Sequence, residues 1–175
     1  MNAPSLFAIA TLLALAGPAR AAEEIKIQVH SISAEGVGKP VGTITVKPVK
    51  DGVSLEPKLE GLPPGEHGFH LHEKASCEPA DKDGIKAAGL AAGGHFDPAA
   101  AKAHKGPGGG GHKGDLPKLV VDESGKATVK VTVPGLALAD FHGKALVIHA
   151  GGDNYSDEPK PLGGGGARIA CGVAK

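Results

Sequence analysis

The chain has 175 residues, 28 of them glycine and 14 proline, with one tyrosine and no tryptophan. Its 19 basic and 19 acidic side chains balance, so it lacks the positive surplus that would draw it to nucleic acid or an anionic membrane surface. The length suits one domain with a sizeable core, and a hydrophobic fraction of 41% at zero net charge excludes a disordered chain.

The amino-terminal segment stands apart. Leu6 to Ala16 is a short apolar run, followed by Gly17-Pro18 and the small-x-small sequence Ala19-Arg20-Ala21, which is the pattern of a secretory leader cut after Ala21. No Lys or Arg precedes the run, a departure from the usual leader. The run falls short of the roughly 20 apolar residues a spanning helix needs, so export is preferred to anchoring, and no later segment could span a bilayer. The sequence thus predicts a leader over 1–21 and one domain over 22–175.

Period-two alternation then predicts strands. In Glu24–Ser33, Ile25, Ile27 and Val29 alternate with Lys26, Gln28 and His30. Further strands are expected at Val41–Pro48, Val53–Leu59, Glu66–His72, Lys126–Val133, Ala145–His149 and Arg168–Val173. Asp51-Gly52, Pro63-Pro64-Gly65 and Glu123-Ser124-Gly125 mark turns between them. Many short strands separated by such turns predict an all-β fold, an immunoglobulin-like sandwich or Greek-key barrel. Two stretches break the pattern: Glu73–Lys118, where no strand is expected, and the Gly- and Pro-rich Gly151–Ala167. Loops this long inside a domain are functional or held by something besides secondary structure.

The residues with chemistry lie in and beside these loops. His70 and His72 share one face of a strand, with Phe69 and Leu71 facing the core behind them. Two imidazoles so placed are half a metal site, or two exposed histidines. His95, His104, His112 and Asp115 follow on a glycine-rich loop able to fold back on itself, a donor set suited to tetrahedral zinc. His149 ends an apolar strand where a loop begins. Cys77 and Cys171 form an even pair in an exported chain and are read as a disulfide, with buried thiols or zinc ligation as the alternatives.

Taken together, GFHLH, GGHFDP, HKGDL, IHAGGDN and GGGGARIACGV occur in the order and approximate spacing of the copper/zinc superoxide dismutases. The resemblance covers essentially the whole chain after the leader, and the GGDNYSD stretch resembles the bacterial periplasmic branch. It implies one copper and one zinc per subunit. His70, His72, His95 and His149 resemble the copper ligands; His95, His104, His112 and Asp115 resemble the zinc ligands, with His95 bridging. Cys77 and Cys171 match the family's disulfide, and Arg168 matches the arginine that orients the superoxide anion. Asp153 resembles the aspartate linking a copper histidine to a zinc histidine, with Asp157 the second candidate for that role; His30, His67 and His142 are expected to be structural or solvated.

The implied activity is disproportionation of superoxide to dioxygen and hydrogen peroxide, as antioxidant defence in the bacterial periplasm, by a monomer or homodimer. Lys160 and the lysines of the long loop are candidates to steer the anion. Two other classes remain: a copper carrier on the same barrel, and a zinc-stapled structural domain with no use for His70, His72 and His149.

Overall fold

The computed structural model describes residues 23–175, so the expected leader lies outside the described residues. In chain order the strands are β1 (Ile25–Ser33), β2 (Gly36–Val49), β3 (Gly52–Leu59), β4 (Gly65–His67), β5 (Phe69–His72) and β6 (Ala80–Lys82). They are followed by β7 (Ile85–Ala87), β8 (Leu119–Val121), β9 (Val131–Pro134), β10 (Lys144–His149) and β11 (Arg168–Ala174), with three short 3-10 turns between. No helix among the described residues is long and apolar enough to cross a membrane.

Alternation sets the sheet. In β1, Ile25, Ile27 and Val29 are buried while Lys26 and Gln28 are exposed, as β-branched residues on a half-buried pleat require. Seven strands form one antiparallel sheet in the order β5-β10-β11-β1-β2-β3-β9, and β4 pairs with β8. The sheet closes over a core that includes Ile27, Ile44, Leu55, Phe69, Leu71 and Phe141. A smaller apolar cluster, Ile32, Cys77, Ala92, Ala145, Val147 and Cys171, packs separately. The all-β expectation holds.

β2 begins at Gly36, before the expected Val41, and β8 is not among the expected strands; three further differences have a local reason. The strand expected over Glu66–His72 divides at Gly68, whose N–H is taken by the Gly151 carbonyl (2.7 Å) and whose carbonyl accepts the His149 N–H (2.8 Å). Of Lys126–Val133 only the far end is a strand. Ala127 still bridges Leu59, and in that register Val129 faces Pro57, which has no N–H to offer the ladder. Within the long loop, β6 and β7 form a small hairpin (Lys82↔Ile85). Its turn, Asp83-Gly84, has both residues at positive φ (53° and 78°), the strongest short-range hairpin signal in a sequence.

Candidate metal centre

Strand β5 sets the geometry. In the ladder with β10, His70 lies opposite Val147 and His72 opposite Ala145, so both histidines stand on the face that carries the smaller cluster. Phe69 and Leu71 point the other way, into the core. The free edge of β5 is met by both ends of the histidine-rich loop: Leu71 N–H donates to Gly114 (2.9 Å), and Phe96 N–H donates to the Leu71 carbonyl (2.8 Å). His70 is thereby aligned with Asp115 and His72 with His95. His149 joins them from the end of β10, its ring centroid 4.9 Å from that of His70 and 5.7 Å from that of His72.

Two donor sets result. The ligand atoms of His70, His72, His95 and His149 all lie within 4.8 Å of one another, as do those of His95, His104, His112 and Asp115. His95 belongs to both. In the first set, His70 Nδ1, His72 Nε2, His95 Nε2 and His149 Nε2 are buried with no hydrogen-bonding partner in the protein. The opposite nitrogen of each ring is held. His70 Nε2 lies 2.8 Å from Asp153 Oδ2 and His95 Nδ1 2.9 Å from Asp115 Oδ1. His72 Nδ1–H donates to the Gly93 carbonyl (3.0 Å) and His149 Nδ1–H to that of Gly166 (3.2 Å). Orphaned buried nitrogens are costly unless a ligand meets them. Four imidazole lone pairs facing one point, each fixed from behind, suit copper.

The second set crowds one carboxylate oxygen. The Nδ1 atoms of His95, His104 and His112 lie 2.9, 3.0 and 3.3 Å from Asp115 Oδ1. His104 Nδ1 comes this close without forming a hydrogen bond. Three imidazole nitrogens and one carboxylate are a zinc donor set.

The loop after β10 ties the halves together. Asp153 Oδ2 meets His70, while its Oδ1 meets His104 Nε2 (2.8 Å) and accepts the Tyr155 N–H (2.7 Å). Gly163, at φ +70°, makes room for this: a Cβ there would overlap Asp153 Oδ1 and sit 2.8 Å from His104 Nε2. Gly165 likewise passes over His149, its Cβ position 3.2 Å from the His149 side chain. The glycine run ahead of Arg168 is thus shaped by close approach.

Burial decides the charge state of the first set. It lowers His95 to about 4 and His149 to about 3, and holds His72 well below the ordinary imidazole range. His70 is lowered too, with Asp153 opposing. In all four the shift favours the neutral imidazole, the form that ligates a metal. For His104 burial opposes protonation, but the carboxylates of Asp115 and Asp153 outweigh it and raise the ring to about 9. Asp115 and Asp153 themselves fall below the usual carboxylate range; burial opposes this, and the adjoining histidines outweigh it.

Arg168 is half-buried and anchored at both amino groups, Nη1 to the Gly89 carbonyl (2.6 Å) and Nη2 to that of Gly93 (2.7 Å). Gly93 therefore receives both Arg168 and His72. No sequence signal marked that carbonyl. Cys77 and Cys171 are joined as a disulfide, with Cα atoms 5.7 Å apart. His67 is buried, and its ring is held between two carbonyls, His149 (2.7 Å) and Pro63 (2.8 Å). Its shared parity with Phe69 and Leu71 was the available signal for that structural role. Asp157 does not reach His70; its carboxylate holds main-chain N–H groups instead.

Known proteins agree with this arrangement. The family model described as "Copper/zinc superoxide dismutase (SODC)" matches residues 41–174. "Superoxide dismutase [Cu-Zn] 2" of Salmonella typhimurium is 54% identical over 169 residues, covering 96% of each chain. Among solved structures, the copper/zinc superoxide dismutase of Brucella abortus superposes with a TM-score of 0.86 at 47% identity, covering 87% of this chain and 100% of that one. The monomeric copper, zinc superoxide dismutase of Salmonella enterica superposes at 0.79 with 52% identity over the same shares. With its motifs, barrel and paired donor sets all in register, the chain belongs to the copper/zinc superoxide dismutase family.

Proposed function

We propose that the protein disproportionates superoxide, two anions and two protons giving dioxygen and hydrogen peroxide, and so serves antioxidant defence. His70, His72, His95 and His149 hold copper, and His95, His104, His112 and Asp115 hold zinc, one of each per subunit. The observation that carries this reading is His95, one imidazole whose Nδ1 belongs to the three-histidine, one-aspartate set while its Nε2 belongs to the four-histidine set. Bound copper supplies one-electron chemistry, and bound zinc supplies fixed charge and loop order. The residues do the rest. His95 Nε2, buried and free of protein partners, is the atom placed to take up and return a proton. The Arg168 guanidinium, fixed on two carbonyls, draws the anion to the histidines and orients it. Asp153 keeps the His70 and His104 rings in register.

Superoxide decay measured on metal-free, zinc-only and copper-plus-zinc protein tests the assignment. Fast decay that requires copper and slows as salt rises is the expected result. Stoichiometric copper binding with slow decay would overturn it in favour of a copper carrier. Substituting His149 separates the remaining reading, because a zinc-stapled domain would be indifferent to that change.

The same reading includes export. The segment 1–21 acts as a leader, the mature domain starts at Ala22 in the bacterial periplasm, and the Cys77–Cys171 disulfide suits an oxidising compartment. Amino-terminal sequencing of protein from the periplasmic fraction checks this; an uncut chain in the cytoplasm would refute it. The related Salmonella enterica structure is described as monomeric, which supports a working monomer over a homodimer. Sedimentation of the metal-loaded protein decides between them.

A further inference from the structure

His104 sits in a stretch with almost no secondary structure of its own. Between Asp97 and His112 the chain makes two left-handed non-glycine turns, at Ala100 and Lys102 (φ 52° each). The neighbours of His104 are held within the loop, Ala101 and Lys102 by Asp97, Ala103 by His112 and Lys105 by Asp115, but the hydrogen bonds of His104 itself run to a distant segment, residues 153–157. Asp153 holds the ring through Nε2. Asp157 holds the main chain: its Oδ2 accepts the His104 N–H at 2.8 Å, and its Oδ1 accepts the Leu162 N–H at 3.1 Å. Both oxygens are committed to backbone donors. Tyr155, between the two aspartates, is itself left-handed (φ 59°) and grips the loop on either side of His112. Its ring covers Gly106, where a Cβ would lie 2.7 Å from the ring Cγ, and its hydroxyl accepts the Lys118 N–H at 3.0 Å.

We propose that Asp157 is a positioning residue for zinc: by bonding the His104 main chain it fixes the aim of His104 Nδ1, and with Tyr155 it makes zinc retention depend on a segment that supplies no ligand. The proposal rests on the zinc assignment above. Outer groups that orient ligands typically govern metal affinity by 10- to 100-fold, and here the oriented unit is the ligand's own peptide.

The test uses the copper- and zinc-loaded protein challenged with an excess of a chromogenic zinc chelator. Zinc release, copper retention and the melting midpoint of the metal-free form are followed in parallel. Asp157→Asn puts an amide N–H against one of two backbone donors, and zinc release is expected to quicken on the order of tenfold. Tyr155→Phe keeps the ring and loses the hydroxyl acceptor, for a rise of about fivefold. Copper retention stays at the wild-type value, while the metal-free midpoint falls by about 5 °C from the hydrogen bonds lost. Release within about twofold of wild type in Asp157→Asn would overturn the proposal. So would faster zinc release matched by comparably faster copper loss, since that is general loosening. Should Asp157→Asn fail to fold, Asp157→Glu, which keeps the charge and displaces the oxygens, is expected to shift release in the same direction. A wild-type protein that takes up no zinc would sink the zinc assignment itself, whereas normal uptake with unchanged release removes only the role of Asp157.

Discussion

Substituting Gly163 by alanine tests how tightly the two donor sets are coupled. The residue is left-handed at φ +70°, a conformation that disfavours any Cβ by roughly 1–2 kcal/mol. The added methyl would also overlap Asp153 Oδ1 and crowd His104 Nε2 at 2.8 Å. The carboxylate must then move and release at least one of its bonds to His70 and His104, a charge-assisted loss of roughly 1.5–3 kcal/mol. The two effects together come to about 3–4 kcal/mol. For a domain of this size that is a fall of about 10 °C in the melting midpoint of the metal-free protein. Gly143→Ala is the control, because Gly143 has nearly the same backbone (φ +71°) with nothing within 4 Å of its Cβ position. It should fall by about 3 °C. Equal midpoints for the two variants would refute the claim that close approach to Asp153 matters, leaving backbone conformation as the whole effect.

Replacing Cys77 and Cys171 by serine opens a closed loop spanning 94 positions. Denaturant titration should show a loss of about 4–5 kcal/mol by the chain-entropy model, and an unchanged midpoint would contradict it. Glu56 is held down to about 2 by Lys47 (2.7 Å) and Lys130 (2.9 Å). Because its folded value is depressed, its contribution is present above the ordinary 4.5 and fades as pH falls toward 2. In the metal-free protein the midpoint difference between wild type and Glu56→Gln should shrink over that window; a difference independent of pH would exclude the ion pairs as its source. Ser54 Oγ is buried without a hydrogen-bonding partner, so Ser54→Ala should be neutral or stabilising by up to about 1 kcal/mol in urea. A clear destabilisation would show that the hydroxyl is bonded after all.

Where a signal was local, the chain could be read from its residues. Alternation located β1 because its two faces differ in burial, a short apolar run located β10, which is buried on both faces, and strand parity placed His70 and His72 opposite Phe69 and Leu71. The donor residues were legible because histidines cluster in a glycine-rich loop and their order, with Asp115 among the loop's several carboxylates, follows a known family. Other features depend on partners distant in sequence. Val129 leaves the ladder because of Pro57, and β5 begins at Phe69 because Gly68 is claimed by Gly151 and His149. The Gly93 carbonyl, which anchors both Arg168 and His72, and the Asp157 bond to His104 are main-chain contacts that no residue type announces. The Asp83-Gly84 hairpin is different: its signal was present, and the long run of small residues around it obscured the turn.

His70 and His72 lie on the side of the strands that faces away from the principal core, alongside Val147 and Ala145. The barrel and the metal centre therefore share a wall. The loop that carries His95, His104, His112 and Asp115 also reaches round that wall: Leu116 is buried in the principal core and Phe96 packs against it. Opening the loop disturbs apolar packing and donor sets together, so whatever holds the loop closed also tightens the barrel.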